Sequence, residues 1–171
     1  MTARCVFTPV PTPFGVLFVA AMGDALVSAH FDGQPRVPAA FALAVRDDAH
    51  ALLDRARAAL ADYVRGAPVE RLPLAPAGTP FQQAVWAKLR AIPAGSTCSY
   101  QDVARGLGAP RSVRAVGAAI GRNPLAIFIP CHRVIGARGA LTGYAGGLDR
   151  KRALLDFERG RATPGSERHA A

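Results

Sequence analysis

Cysteine is scarce in this chain, with three residues (Cys5, Cys98 and Cys131) among 171. An odd count without regular spacing argues against a disulfide framework and predicts a reducing, cytosolic setting. Long apolar runs are missing too. No stretch approaches the roughly 20 residues of a bilayer span, so no membrane partner is expected. The first residues lack the apolar block of a signal peptide, because Pro9, Pro11 and Pro13 interrupt it. Acidic residues are short in one part only. Residues 1–78 carry seven arginines and seven Asp or Glu, a balance of zero, whereas residues 79–171 carry 14 Lys or Arg against five acids, the whole of the +9 net charge. That asymmetry points to a polyanion, nucleic acid above all, as the partner of the second part. A codon bias would favour arginine over lysine, but would not confine the excess to one side of residue 78.

Half the residues are hydrophobic, enough to build a core for one domain or two small lobes. The runs 16–20 and 25–31 read as strands joined through Met22-Gly23-Asp24 in a hairpin. Residues 48–65 follow helical spacing, with Leu52, Leu53, Ala56, Leu60, Tyr63 and Val64 on one face, Asp47 or Asp48 as the cap and Gly66 as the stop. Residues 67–78 read as an extended connection.

From Thr79 the pattern changes. Thr79-Pro80-Phe81-Gln82 forms a capping box with proline at the first helical position, and Phe81, Val85, Leu89 and Ile92 share a face beside Trp86. A short helix opens at Ser99-Tyr100-Gln101-Asp102. A third begins at Ala109-Pro110 and runs to about Gly121, giving a helix-turn-helix-like pair with arginines on the second member. A last helix spans about Leu148 to Arg159. The expected fold is α+β, with an N-terminal sheet-and-helix lobe (1–66), a connecting segment (67–78), a mostly helical winged-helix or helix-turn-helix-like lobe (79–159) and a disordered tail (160–171).

Chemistry concentrates at Pro130-Cys131-His132-Arg133-Val134. A cysteine flanked by His and Arg has neighbours that favour the nucleophilic thiolate. The same residues also fit an inert buried cysteine, the commoner fate of a free thiol. The apolar run 125–129 reads as a buried strand or extended segment that delivers Cys131 to a site. Adjacent strand residues point to opposite faces, so Cys131 and His132 can cooperate only if the chain turns there.

Taken with Ser99-Tyr100-Gln101, Arg111 to Gly117, Arg122-Asn123-Pro124 and Tyr144-Ala145-Gly146-Gly147, this pentapeptide resembles the O6-alkylguanine-DNA alkyltransferase family. The resemblance runs without gaps from about Thr79 to Glu158. It implies direct-reversal repair, in which Cys131 accepts the alkyl group of an O6-alkylguanine in DNA, with O4-alkylthymine as a second candidate lesion, and the protein is consumed. His132 would act as base through a water and Glu158 would orient it. Tyr100 would give a proton to the departing guanine, and Asn123 would tie the arginine helix to the Cys131 segment. Val134, Tyr144, Ala145 and Gly146 would hold the base. Arg114 would be the finger that replaces it in the duplex, because a stacked base must be flipped out before its O6 substituent can be reached. Arg111, Ser112, Val113, Ala115 and Gly117 would lie along the minor groove of double-stranded DNA. Several family members carry serine at the position of Ala145. Arg133 is expected as a structural ion-pair residue.

Some relatives bind zinc in the first lobe. Here Cys5 and His30, with His50 on the helix, make a poor tetrahedral set, so no metal and no cofactor is expected. The chain is expected to be monomeric in solution, with cooperative binding along DNA left open. Two other readings remain at this stage. One is a protein that binds alkylated DNA and flags it without transfer, which retention of Cys131 beside His132 disfavours. The other is a thiol hydrolase of small esters or peptides, which leaves the basic second part and Arg114 unexplained.

Overall fold

The computed structural model describes residues 4–160; the rest of the expected tail lies outside the described residues. The chain begins with strand β1 (Cys5–Thr12), which the proline-rich opening did not suggest. Pro9 and Pro11 are tolerated because β1 meets its outer neighbour β4 (Val45–Arg46) only at Val6 and Phe7. Further along, the side that would need N–H donors is an open edge. On its other side β1 pairs antiparallel with β2 (Gly15–Met22), which continues through a two-residue turn at Gly23-Asp24 into β3 (Ala25–Phe31). The sheet order is β3-β2-β1-β4.

Helix α1 (Ala51–Arg65) starts three residues later than the spacing predicts. Asp47 and Asp48 do not cap it. Asp47 accepts from the Ala49 N–H in a local turn, and Asp48 is taken up by Thr8 and Arg46. His50 occupies the N-cap, so it precedes the helix rather than riding on it. Gly66 stops α1 in the left-handed conformation. The connecting segment runs along the outer edge of β3, where Leu26 donates to the Pro73 carbonyl and accepts from Ala75.

Helix α2 (Pro80–Leu89) carries the full Thr79/Gln82 capping box. Val85, Trp86 and Leu89 are buried, whereas Phe81, in the first turn, faces solvent. The Trp86 indole donates to the Ala119 carbonyl, fixing α2 against the arginine-bearing helix. Strand β5 (Cys98–Ser99) leads into α3 (Tyr100–Gly106), whose cap is a reciprocal Ser99/Asp102 pair. Helix α4 (Val113–Gly121) starts four residues after Ala109, because residues 109–112 close a turn instead. Strand β6 (Val134–Ile135) pairs parallel with β5, and α5 (Leu148–Arg159) ends the fold.

The run 125–129 is buried but is no strand. Beyond one bridge to Ala29 it folds into successive tight turns, with Ile127 at φ 70° and Ile129 donating back to the Leu125 carbonyl. A β-branched residue at positive φ is strained; here contacts with β3 and the surrounding core hold it. One hydrophobic core extends from Val10 and Leu17 in the sheet, through Leu53 and Tyr63, to Leu89, Ile129 and Leu154. Among the described residues no helix is long and apolar enough to cross a membrane.

Candidate active site

The turn that Cys131 and His132 require is present. Cys131–Arg133 form one turn of 3-10 helix immediately after Pro130, and all three residues are buried. Asn123, just past the end of α4, is fully engaged with this segment. Its Nδ2 donates to the Ile129 carbonyl at 2.8 Å and to Cys131 Sγ at 3.0 Å, while its Oδ1 accepts from the Leu125 N–H at 2.9 Å. A single side chain therefore links the arginine-bearing helix, the strained turn and the sulfur.

Glu158 comes from the last turn of α5 and is buried. Its Oε1 lies 2.9 Å from His132 Nε2, 2.7 Å from Arg133 Nη2 and 2.7 Å from the Tyr63 hydroxyl. Its Oε2 accepts from Arg133 Nε at 2.9 Å and the Gly95 N–H at 3.3 Å. Burial opposes ionisation, but the hydrogen bonds from His132 and Arg133 and the charge of Arg133 outweigh it and hold the carboxyl well below the usual range. A carboxylate only accepts, so Nε2 of His132 carries the ring proton and Nδ1 presents the lone pair. Nδ1 is buried and has no partner among the described residues. Burial also lowers the His132 pKa, against the pull of Glu158, so the ring rests neutral. Burial pushes the Cys131 thiol up, partly offset by Asn123 and the charge of Lys151. The resting pair is thus a thiol and a neutral base, and reaction requires the proton to move. Cys98 is pushed up to about 11 by burial and by Asp102.

The segment 142–147 forms a second wall. Tyr144, Ala145 and Gly146 line a narrow pocket with Cys131, Asn123 and Gln34. Its volume is about 20 Å3, room for about one water. A neighbouring groove of about 400 Å3 shares Gln34, Gly121, Asn123 and Ala145 with it. The Tyr144 hydroxyl is buried without a partner among the described residues. Tyr100 stands at the start of α3 and donates to the Thr142 carbonyl at 3.0 Å, and α4 passes close to its ring at Gly117. Val134 is buried, and its carbonyl accepts from Lys151. Arg111, Arg114 and Ala115 are exposed, while Ser112, Val113 and Gly117 are half-buried. The structure therefore gathers Cys131, Asn123, Tyr144, Ala145 and Gly146 around one pocket, sets His132 and Glu158 beneath it, and leaves Arg114 on the outer surface.

Three residues outside the sequence-based set belong to this architecture. Tyr63 reaches across from the N-terminal lobe to Glu158. Arg150 bonds the carbonyls of Phe14 and Gly146. Lys151 is completely buried and donates to the carbonyls of Val134, Thr142 and Gly143. The signal for Lys151 is its spacing: it shares the inward stripe of α5 with Leu154, Leu155 and Glu158, where a charge is out of place. Among the described residues no group of three or more His, Cys, Asp or Glu could hold a metal ion; Cys5 and His30 sit on the outer face of the sheet, among Ala20, Val27 and Phe41.

The family described as 6-O-methylguanine DNA methyltransferase, DNA binding domain, matches residues 80–160. A curated Mycobacterium tuberculosis protein named methylated-DNA–protein-cysteine methyltransferase is 61% identical over 85 residues, 50% of this chain and 52% of that protein. A Salmonella typhimurium protein of the same name is 55% identical over 101 residues, 58% of this chain and 59% of that protein. The matched segments thus span little more than half the length of these curated relatives. Structural likeness reaches further. The crystal structure of the M. tuberculosis O6-methylguanine methyltransferase superposes with a TM-score of 0.85 at 41% identity, over 94% of this chain and 96% of the other. A structure of M. tuberculosis OGT in complex with DNA gives 0.83 at 41% identity, over 91% and 94%.

Proposed function

Since this chain belongs to the O6-methylguanine-DNA methyltransferase family, we propose that it repairs DNA by moving the alkyl group of an O6-alkylguanine onto Cys131, once per molecule. The observation that carries this reading is the buried network Asn123–Cys131-His132–Glu158, in which one histidine nitrogen is fixed by a carboxylate and the other has no partner among the described residues. A water at Nδ1 would carry the thiol proton to His132, the logic of a cysteine activated by an oriented base. Cys131 Sγ then forms a bond to the alkyl carbon in line with the bond to O6. The O6–carbon bond breaks and its electron pair stays with the guanine. Tyr100 supplies a proton to that base, which gains negative charge as the bond breaks, and the proton taken up by His132 then returns through solvent to restore the Tyr100 phenol. In net terms, the thiol hydrogen and the alkyl group exchange places.

Two features support the roles around this step. Tyr100 must leave the Thr142 carbonyl to reach a base, and Lys151, 2.9 Å from the same oxygen, keeps that carbonyl partnered. The other is the size of the pocket, which is too small for a purine, so the 142–147 segment must yield as the base enters. Duplex DNA is the proposed partner, bound through the minor groove by α4, with Arg114 filling the vacated position. The degenerate hydrogen-bond pattern of that groove suits a protein that must ignore sequence. The DNA complex of the M. tuberculosis relative and the +9 charge of residues 79–171 support this. Guanine O6 is the proposed principal lesion, and the reducing cytosol is the proposed setting.

The test is to incubate the protein with a duplex containing O6-methylguanine and to measure the mass of the Cys131 peptide. The expected result is one added CH2 on that peptide, absent in Cys131→Ala. Tight binding without a mass change would instead make the protein a lesion-binding one. Arg114→Ala should slow repair in duplex DNA far more than reaction with free O6-benzylguanine. Equal losses on both substrates would remove its flipping role.

A further inference from the structure

We propose that Arg150 is a positioning residue through which the N-terminal sheet sets the closed position of the substrate loop; this rests on the alkyl-transfer reading above. Arg150 lies in the first turn of α5, between the β1–β2 turn and the loop that walls the pocket. Its Nε donates to the Phe14 carbonyl at 2.8 Å and its Nη1 to the Gly146 carbonyl at 2.6 Å. The guanidinium carbon sits 4.3 Å from the centre of the Phe31 ring, at the end of β3. One planar, permanently charged group is therefore held on two sides by the N-terminal lobe and grips the loop on a third. Only arginine has a fork able to span two carbonyls and stack at once.

Close packing on both sides limits how that group can move. A Cβ at Gly15, where φ is +114°, would lie 3.2 Å from Arg150 Nη2. A Cβ at Gly146 would lie 2.7 Å from Tyr144 Cε1 and 3.3 Å from Arg150 Nη1. The hairpin turn, the guanidinium, Gly146 and the Tyr144 ring are thus stacked in contact, and the last of them is a wall of the Cys131 pocket. The loop must open to admit a purine and then reclose. Arg150 gives it a fixed stop, referenced to a sheet that supplies none of the proposed reacting groups. Lys151 anchors the other end of the loop at Thr142 and Gly143, so displacement is confined to Tyr144–Gly146.

The experiment is single-turnover reaction of the full chain with free O6-benzylguanine over a range of concentrations. It yields a half-saturating concentration and a limiting rate, with hydrogen exchange of loop amides measured in parallel. Arg150→Met, which keeps the apolar stem and loses the donors, should raise the half-saturating concentration about tenfold, the loss of one charge-assisted hydrogen bond. Its limiting rate should stay within about twofold. Exchange at Gly146 and Gly147 should rise while amides in the middle of α5 keep their protection. Arg150→Lys retains the charge but cannot span both carbonyls, and should behave as Arg150→Met does. A lowered melting temperature with an unchanged half-saturating concentration and unchanged loop exchange would reduce Arg150 to a structural brace and overturn the proposal. Full recovery by lysine would overturn it as well. Failure of the unmodified protein to react would instead overturn the alkyl-transfer reading, and the exchange data would still decide whether Arg150 holds the loop.

Discussion

The two lobes divide the work unequally. The C-terminal part of the chain, residues 79–171, holds Cys131, its proposed base His132, the buried Glu158 carboxylate and the whole positive excess. The N-terminal lobe is electrically neutral and holds none of the reacting groups proposed here, yet Gln34 lines the Cys131 pocket and further bonds tie the lobe to the site. Backbone hydrogen bonds join Ala29 of β3 to Pro124 and Ala126, flanking the strained turn. The Tyr63 hydroxyl reaches Glu158. The Phe14 carbonyl holds Arg150, which holds Gly146. Phe14 also packs edge-on against Phe157 of α5. The lesson is that chemistry and support need not share a sequence motif. One lobe carries the proposed reactive set, and the other bonds to the elements that hold it.

Breaking this division at its centre should cost most. Glu158→Ala leaves Arg133 and His132 buried without their carboxylate, and should lower unfolding free energy by about 3–5 kcal/mol, measured by chemical denaturation; a smaller loss than that of Tyr63→Phe would show that the network is not central. Tyr63→Phe removes a single donor from the N-terminal side. It should cost about 1–2 kcal/mol and slow alkylation by free O6-benzylguanine, whereas an unchanged rate would mean that the lobes are coupled in stability only.

Acid should act through the same network. The folded His132 pKa lies below its ordinary 6.5, so between the two values the unfolded chain binds a proton that the folded one refuses. The stability from this group is fully present above about pH 6.5 and falls as pH drops towards the folded value, at about 1.4 kcal/mol per pH unit for one proton. Glu158 adds a further loss below about its ordinary 4.5, because its folded pKa is depressed. Melting temperatures between pH 7.5 and 4 check the sign; a protein more stable at pH 5 than at pH 7 would contradict it. The smallest effect belongs to Thr79→Ala, which removes the cap of α2 at about 1 kcal/mol and should leave the alkylation rate untouched.

Local chemistry was the legible part of this fold. The capping box at Thr79 and the Ser99 cap declare α2 and α3 because every partner lies within three residues. Of the residues that the Cys131 segment and its family resemblance pointed to, Asn123, Cys131, Tyr144, Ala145 and Gly146 line one pocket. Other features escaped because their causes are distant. The run 125–129 has the composition of a strand, but the hydrogen bonds of Ala29 and Asn123 and the packing around Ile127 bend it into turns. Phe81 has the spacing of a core residue but lies at the exposed start of α2. Tyr63 reads as a helix-face aromatic until Glu158, 95 residues away, supplies its partner. Arg150 bonds backbone carbonyls, which leave no trace in side-chain pattern.

The central claim is that Cys131 accepts one alkyl group and is not regenerated. Titrating the protein with an excess of O6-methylguanine duplex and counting repaired guanines against protein molecules tests it most directly. The account predicts a plateau at one repaired base per molecule, with every methyl group recovered on Cys131. Repair that continues past one equivalent, or methyl groups released into solution, would contradict it.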